Sequence, residues 1–559
     1  MRNIKRSLSI LLVIAIALTF LAACSKESTP PVSSPDSTVS ATTSASPDAS
    51  SNSQPSGSQG TPASESNLET KTVRIGIAGD PASLDPWSLI GEGRMDVLRN
   101  VYEFLFDIPY IGGGITPVIA SGYEQLDAQT FNIKIYDYVS DSKGNHITAD
   151  DVVFSYESAG FTGADRGAIE SVTAIDSMTI QFKLNTTADG AFENAVGYTA
   201  IVSKSEYEAN PDAYISNPIG TGPYVVTEHV PGSSLSFTKS ANYWQTNKDL
   251  VTKFSQSNIG NIRYVVIPES SQLTMALESG AIDIGYFVAT SDIHRFNNGN
   301  YSVFMPPKDL ADLILFNCQE GNIFTNQALR QAVCYAIDSN ILLQNAYEGN
   351  GRVCKTYGSS VFSDYLDKWE NEDYLDFNPS KAKELLIEAG YPNGVTVTLL
   401  VANRPQHIRM GQIIQSMLGD IGISVEITQV DTTAFASYAR NIESQIPFDF
   451  YLDNRSSFDY IVNVWAFSFD ANRNRGMTVN FYVDGKLQDL LATAIDQSTH
   501  NEQNTDALHK YLKEICIGYG ICYGTYNFVT TNTITDLARD FKSRLVPGGC
   551  TYTSDFIGG

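Results

Sequence analysis

Residues 261–287, NIRYVVIPESSQLTMALESGAIDIGYF, read as strand, helix, strand within one short span. Ser270 or Ser271 is placed to cap the helix and Gly280 to end it, and Ile282, Ile284 and Tyr286 restart an alternating strand. A right-handed crossover of this kind builds a sheet covered by helices. The same grammar recurs downstream. NPSKAKELLIEAGYPNG puts Pro379 just inside a helix and Gly390 just past it, with Leu385, Leu386 and Ala389 as the apolar face. VTVTLLV then alternates as a strand, QHIRMGQIIQSMLGDIG is helical, and ISVEITQV is a strand. Upstream, HITADDVVFSYESAG opens a helix with Thr148 as N-cap and Asp151 in the capping-box position. RMDVLRNVYEFLF carries Val97, Val101, Phe104 and Leu105 on one side of a helix. KTVRIGIAG alternates as a strand, which GDPASLDPW breaks with two prolines. These are α/β units with short connections, and 559 residues are enough for two or more lobes with sizeable cores.

The N-terminus indicates where such a chain works. Arg2, Lys5 and Arg6 precede an apolar run from Leu8 to Ala23. That run is short for a membrane span, which needs about 20 residues, and it fits the apolar region of a signal peptide. It ends LAAC, and small residues immediately before Cys24 resemble a bacterial lipobox, in which the cysteine is lipidated and becomes the new N-terminus. We therefore expect a signal peptide over 1–23. Residues 24–70, Ser/Thr/Pro-rich and nearly free of large apolar side chains, are expected to form an unfolded tether spanning roughly 35–40 Å. A long tether after a lipidated cysteine suits a protein on the outer face of the cell membrane in a Gram-positive type of envelope.

A net charge of −25 leaves no basic stripe for phosphate contacts, which excludes nucleic acid as a partner. Six cysteines remain after Cys24: Cys318, Cys334, Cys354, Cys516, Cys522 and Cys550. Outside the cell they can form disulfides, and Cys516 and Cys522 are close enough in sequence to pair. The six histidines stand singly, and no Cys/His spacing suits a metal, so neither metal nor cofactor is expected. The nucleophile elbow, the zinc-protease pair, the phosphate loop and the dinucleotide fingerprint are all missing.

NPIGTGPYVV, residues 217–226, contains Gly-x-Gly without a following Gly, Lys or helix start. Gly220 and Gly222 permit tight or positive-φ backbone, and Pro223 fixes entry into a strand from Tyr224. By physics alone it is a turn feeding a strand. It also resembles the NP-x-GTGPY segment of the large solute-binding proteins of family five, which serve oligopeptide, dipeptide and nickel ABC importers. GDPASLDPW, ITADDVVFSYE, FTNQALRQAVCYAIDSNILL, and NPSKAKELLIEAGYPNG followed by IIQSMLGDIGISVEI resemble further segments of that family, in family order.

The resemblance implies a two-lobe periplasmic-binding-protein-like α/β fold (type II, cluster C) with an extra subdomain inserted in the first lobe. Mapped here, lobe 1 takes 71–107, 200–303 and 520–559, the insert 108–199, and lobe 2 304–519. It implies a binding protein rather than an enzyme: a monomer, held to the membrane through its lipid anchor, that captures an oligopeptide or dipeptide between the lobes. The solute would pass to the permease and ATPase subunits of an ABC importer. A surface receptor of the same fold, sensing a signal peptide or an anionic metabolite, is the alternative. A secreted hydrolase would differ from both by turning its ligand over.

The resemblance also implies site residues. Backbone at Pro81, Ala82, Ser83 and Leu84 corresponds to a segment that pairs with an extended peptide. The second-lobe segment departs from the family pattern. Arg455 holds the usual Trp position, followed by Ser456, Ser457 and Phe458, with Asp459 one residue beyond the usual amine-binding Asp. An arginine facing the cleft favours an anionic ligand; the other reading points Arg455 to solvent. His407 and Arg409 stand where relatives bind the ligand carboxylate, and Tyr523 and Tyr526 where they place cleft tyrosines. Trp369 and Trp465 are expected in the core.

Overall fold

The computed structural model describes residues 68–80, 83–87, 97–108, 114–160, 167–439, 447–455, 460–471, 482, 484–540 and 543–558. The expected signal peptide, Cys24 and nearly all of the tether lie outside them. Folded chain begins by Leu68, which is buried and accepts hydrogen bonds from the Lys71 and Gly260 N–H groups, so the expected tether end at residue 70 moves back.

Three sheets carry the fold. The first has seven strands in the order Tyr301–Phe304, Phe528–Thr531, Ile284–Tyr286, Thr72–Ile77, Asn261–Val266, Ser234–Lys239, Tyr224–Val230. Its centre is parallel: Thr72–Ile77 lies between Asn261–Val266 and Ile284–Tyr286. The crossover from Asn261–Val266 to Ile284–Tyr286 runs through the helix Ser270–Glu278. That helix starts with Glu269 at the N-cap rather than a serine. Gly280, at φ +70°, follows its end.

The second sheet has six strands in the order Gly351–Val353, Gly518–Gly524, Ala311–Phe316, Phe450–Arg455, Val395–Ala402, Ile423–Val430. Val395–Ala402 is parallel to both of its neighbours, with the helix Pro405–Ile421 as the crossover to Ile423–Val430. The third sheet, Ala120–Gln125, Thr130–Ile135, Thr179–Leu184 and Ile169–Asp176, is antiparallel throughout. Each sheet has its own apolar core. Ile75, Ile262 and Phe528 centre one, Leu315, Leu399 and Trp465 the second, and Phe131, Ile180 and Phe182 the third. Trp369 and Trp465 are fully buried.

The architecture is thus two α/β lobes with an antiparallel subdomain inserted in the first. The strand Gly518–Gly524 hydrogen-bonds to Ala311–Phe316 and Gly351–Val353, so a return to lobe 1 at residue 520 would fall inside a second-lobe strand. The chain leaves the second sheet only after Gly524. A second departure concerns residues 97–105. Helix ends at Leu98, the chain turns, and Phe106–Asp107 is a strand. Val101, Phe104 and Leu105 are buried as expected, but on irregular backbone.

Two of the segments singled out in the sequence prove to be joints. The Asp151 carboxylate accepts from the Thr148 N–H and hydroxyl, both at 2.8 Å, and also from the Lys204 N–H at 2.8 Å. It therefore ties the helix Ala149–Ala159 to the chain returning to lobe 1. Gly220 and Gly222 sit with ordinary φ, pressed against the backbone of Asn100 and Val101, so close approach rather than positive φ demands glycine there.

Candidate functional site

The chain crosses between lobes at 305–310 and at 525–527, and the crossings pair. Pro307 and Thr525 form an antiparallel bridge, the Lys308 N–H donates to the Gly524 carbonyl at 2.9 Å, and the Tyr526 N–H to the Pro306 carbonyl at 2.9 Å. Strand directions place the carboxyl ends of the parallel strands of both sheets beside these crossings. In lobe 1 these ends are Ile77, Val266 and Tyr286; in lobe 2 they are Ala402, Val430 and Arg455. Open α/β sheets bind ligands outside the carboxyl ends of their strands.

Lys308 occupies the middle of this rim. Its Nζ lies 5.2 Å from the Tyr347 ring centroid and 5.5 Å from that of Tyr526, and it has no hydrogen bond or ion pair to a described residue. Burial pulls its pKa below the usual lysine range, against the opposing pull of Asp312 and Asp309. Both carboxylates are engaged. Asp309 Oδ1 accepts from the Tyr526 hydroxyl at 3.0 Å, and Asp312 Oδ2 from the Tyr347 hydroxyl at 2.6 Å. Phe287, at the end of the strand Ile284–Tyr286, is 46% exposed although it stacks on Tyr526 at 5.1 Å. Its φ of +61° is a strained conformation for a phenylalanine, of the kind that marks sites where orientation matters.

The residues singled out from the sequence distribute unevenly around this floor. His407, on the first turn after Ala402, is buried, with Nε2 3.1 Å from Asp312 Oδ1. It therefore braces Asp312 and, through it, Tyr347. Arg409 is exposed and donates to the Asn345 carbonyl at 2.8 Å. Arg455 takes neither expected orientation. It is buried, ion-paired with Asp453 at 3.2 Å, and lies 5.6 Å from the Phe467 ring. Burial opposes its charge most strongly, but Asp453 together with Tyr357 and Tyr451 outweighs it and raises the pKa. Its charge is matched inside lobe 2, so it gives no argument for an anionic ligand.

Tyr526 lines the floor, whereas Tyr523 is buried with its hydroxyl 2.6 Å from Ser360 Oγ. Leu84 has both backbone groups occupied, donating to the Ile215 carbonyl and accepting from the Tyr102 hydroxyl. Ser83 is half-buried, its Oγ accepting from the Asp85 N–H. Pro81, Ala82, Ser456, Ser457, Phe458, Asp459 and Cys24 lie outside the described residues. Lys308, Phe287 and Tyr347 went unselected in the sequence. The available signal was Pro306-Pro307, which ends a strand just before the lysine.

A second contact joins the lobes away from the floor. Ala188 of the inserted subdomain bridges to Asp496 of lobe 2, with Asp189 N–H donating to the Ile495 carbonyl and Gln497 N–H to the Thr187 carbonyl. His500 closes this clasp: Nδ1 is 2.7 Å from Asp189 Oδ2, Nε2 is 3.6 Å from Asp364 Oδ2, and the Tyr460 ring packs at 4.6 Å. Burial disfavours the charged ring, but hydrogen bonds to the two aspartates win and hold its pKa up at about 9. A raised folded pKa stabilises below the unfolded value near 6.5 and loses that contribution as pH rises through about 9. Thermal melts between pH 6.5 and 9 should therefore show a fall in the wild type that His500→Gln lacks. Parallel curves would contradict the clasp.

Comparison with known proteins gives a consistent picture. The family model described as bacterial extracellular solute-binding proteins, family 5 Middle, matches residues 114–487. The heme-binding protein A of Haemophilus influenzae is 26% identical over 379 residues, 61% of this chain and 66% of its own length. The oligopeptide-binding protein AppA of Bacillus subtilis is 24% identical over 550 residues, 92% of each chain. Among solved structures, HbpA2 from Haemophilus parasuis superposes with a TM-score of 0.75 at 19% identity, covering 86% of this chain and 100% of its own.

Proposed function

Because the chain belongs to the bacterial extracellular solute-binding proteins of family 5, which are non-enzymatic binding proteins, we propose that it captures short peptides between its lobes and delivers them unchanged to an ABC importer. The observation that carries the reading is the floor at the paired crossings. There an ammonium without an acceptor among the described residues lies near two tyrosine rings, one of which stacks on an exposed phenylalanine. The similarity to an oligopeptide-binding protein over 92% of the chain supports a peptide as the solute. Tyr526 and Phe287 give apolar faces to side chains, and Lys308 receives the carboxylate end. Asp312, braced by His407, holds Tyr347 in place.

Lys308→Gln should weaken binding of di- to pentapeptides with a free C-terminus by tenfold or more, ~1.4 kcal/mol, and Lys308→Arg should retain most of it. Calorimetry decides this. Equal affinities of wild type and Lys308→Gln would remove Lys308 from the site. Failure of every peptide to bind the wild type would remove the peptide reading itself.

The same reading places the protein on the outer face of the membrane, as a monomer held by a lipid on Cys24 and working with permease and ATPase subunits. The LAAC segment ending at Cys24 supports the anchor. Fatty-acid labelling that persists in Cys24→Ser would contradict it.

A further inference from the structure

We infer that Cys334 and Cys516 form a disulfide in the exported protein, whatever solute it carries. Cys334 lies in the last turn of the helix Gln327–Tyr335, and Cys516 is the left-handed residue that ends the helix Glu502–Ile515. Both are fully buried, and their sulfurs are 3.1 Å apart, about 1 Å beyond the roughly 2.05 Å of a disulfide.

No other pair of the six thiols comes so close. Cys318 and Cys550 turn to the backbone carbonyls of Phe324 and Val546. Cys354 and Cys522 lie on neighbouring chain segments without a sulfur–sulfur contact. The pairing of Cys516 with Cys522 that their short separation invites fails for a physical reason. Cys522 lies within the extended strand Gly518–Gly524, and four residues of strand span roughly 13 Å, well beyond disulfide reach.

The location gives the bond a role. Arg330, one turn before Cys334, donates to the carbonyls of Ile515 and Cys516. The strand that follows, Gly518–Gly524, leads directly into the second crossing between lobes. A covalent link here fixes the root of that strand.

Oxidation removes one proton from each thiol and forms one S–S bond. Two electrons pass to an external disulfide, of a thiol–disulfide oxidoreductase or a small molecule, which is cleaved to two thiols. Burial pushes the Cys334 thiol well above its usual pKa, so the exchange belongs to folding, before the helices pack. Once formed, the bond is shielded from reductants.

The test uses the full chain, exported and denatured in the presence of an alkylating agent, followed by non-reducing peptide mapping. The expected result is one linked peptide pair joining Cys334 to Cys516, with Cys318, Cys354, Cys522 and Cys550 alkylated. In Cys334→Ser the linked pair should vanish and Cys516 should become alkylated. Reductant applied during unfolding should lower the melting temperature of the wild type and leave that of Cys334→Ser unmoved. Alkylation of both Cys334 and Cys516 in the exported wild type, or linkage of any other pair, would overturn the inference.

Discussion

Replacing Gly220 with alanine should destabilise the first lobe by about 3 kcal/mol. A Cβ there would lie 2.2 Å from the Val101 carbonyl oxygen, and one on Gly222 would lie 2.6 Å from the same oxygen. The obstacle is backbone in both cases, so no side chain can rotate away. The backbone is also committed. Gly222 N–H donates to the Val101 carbonyl at 2.7 Å, Tyr224 N–H to the Asn100 carbonyl at 2.9 Å, and Ser142 N–H to the Gly220 carbonyl at 3.0 Å. Relief would have to separate the 100–102 turn from the start of the strand Tyr224–Val230. That start carries Tyr224, buried and bonded through its hydroxyl to the Ile259 carbonyl. Urea unfolding of the full chain should show the loss, and an unchanged midpoint would mean that these backbones are not in contact.

The second large effect is expected at Arg330. Its guanidinium is 1% exposed and donates to four carbonyls: Ile515 at 2.6 Å, Phe324 at 2.7 Å, Thr325 at 3.1 Å and Cys516 at 3.1 Å. Ile515 is the last residue of the helix Glu502–Ile515, so the cation also sits at the negative end of a helix dipole. Arg330→Met keeps most of the volume but leaves buried acceptors unpaired, at a cost of about 4 kcal/mol. Lysine is not a substitute, because one ammonium cannot span both the 324–325 and 515–516 carbonyls. Denaturant unfolding checks both variants, and native stability in Arg330→Lys would contradict the account. The segment FTNQALRQAVCYAIDSN thus serves the fold of lobe 2 through its arginine, and the floor proposed to receive the solute lies elsewhere.

Sheet and helix order was legible where hydrophobic period and end signals agreed. The stretch 261–287 and the run from Pro379 to Val430 needed only their own residues. Residues 97–105 were not legible, because their apolar side chains recur at helical spacing while their carbonyls serve Gly222 and Tyr224 from another part of the chain. Three of the segments chosen from the sequence follow the strand ends Ile77, Ala402 and Arg455, which lie beside the crossings. Side-chain roles within them were not legible. His407 and Arg455 look like ligand-facing cations when only residue type and position are considered. In the structure His407 Nε2 instead meets Asp312, 95 residues away in sequence, and Arg455 ion-pairs with Asp453. Lys308, Phe287 and His500 belong to no local pattern. Their places follow from where the chain crosses between lobes and where the insert meets the second lobe, which only the tertiary fold defines.

The most direct test of the central claim is native mass spectrometry of the full chain, before and after mild denaturation, with an added equimolar pool of di- to pentapeptides. The account predicts extra masses matching intact short peptides on the wild type, recovered unchanged on release, and sharply reduced on Lys308→Gln. Peptides returned cleaved, or a wild type that takes up none of the pool, would contradict it.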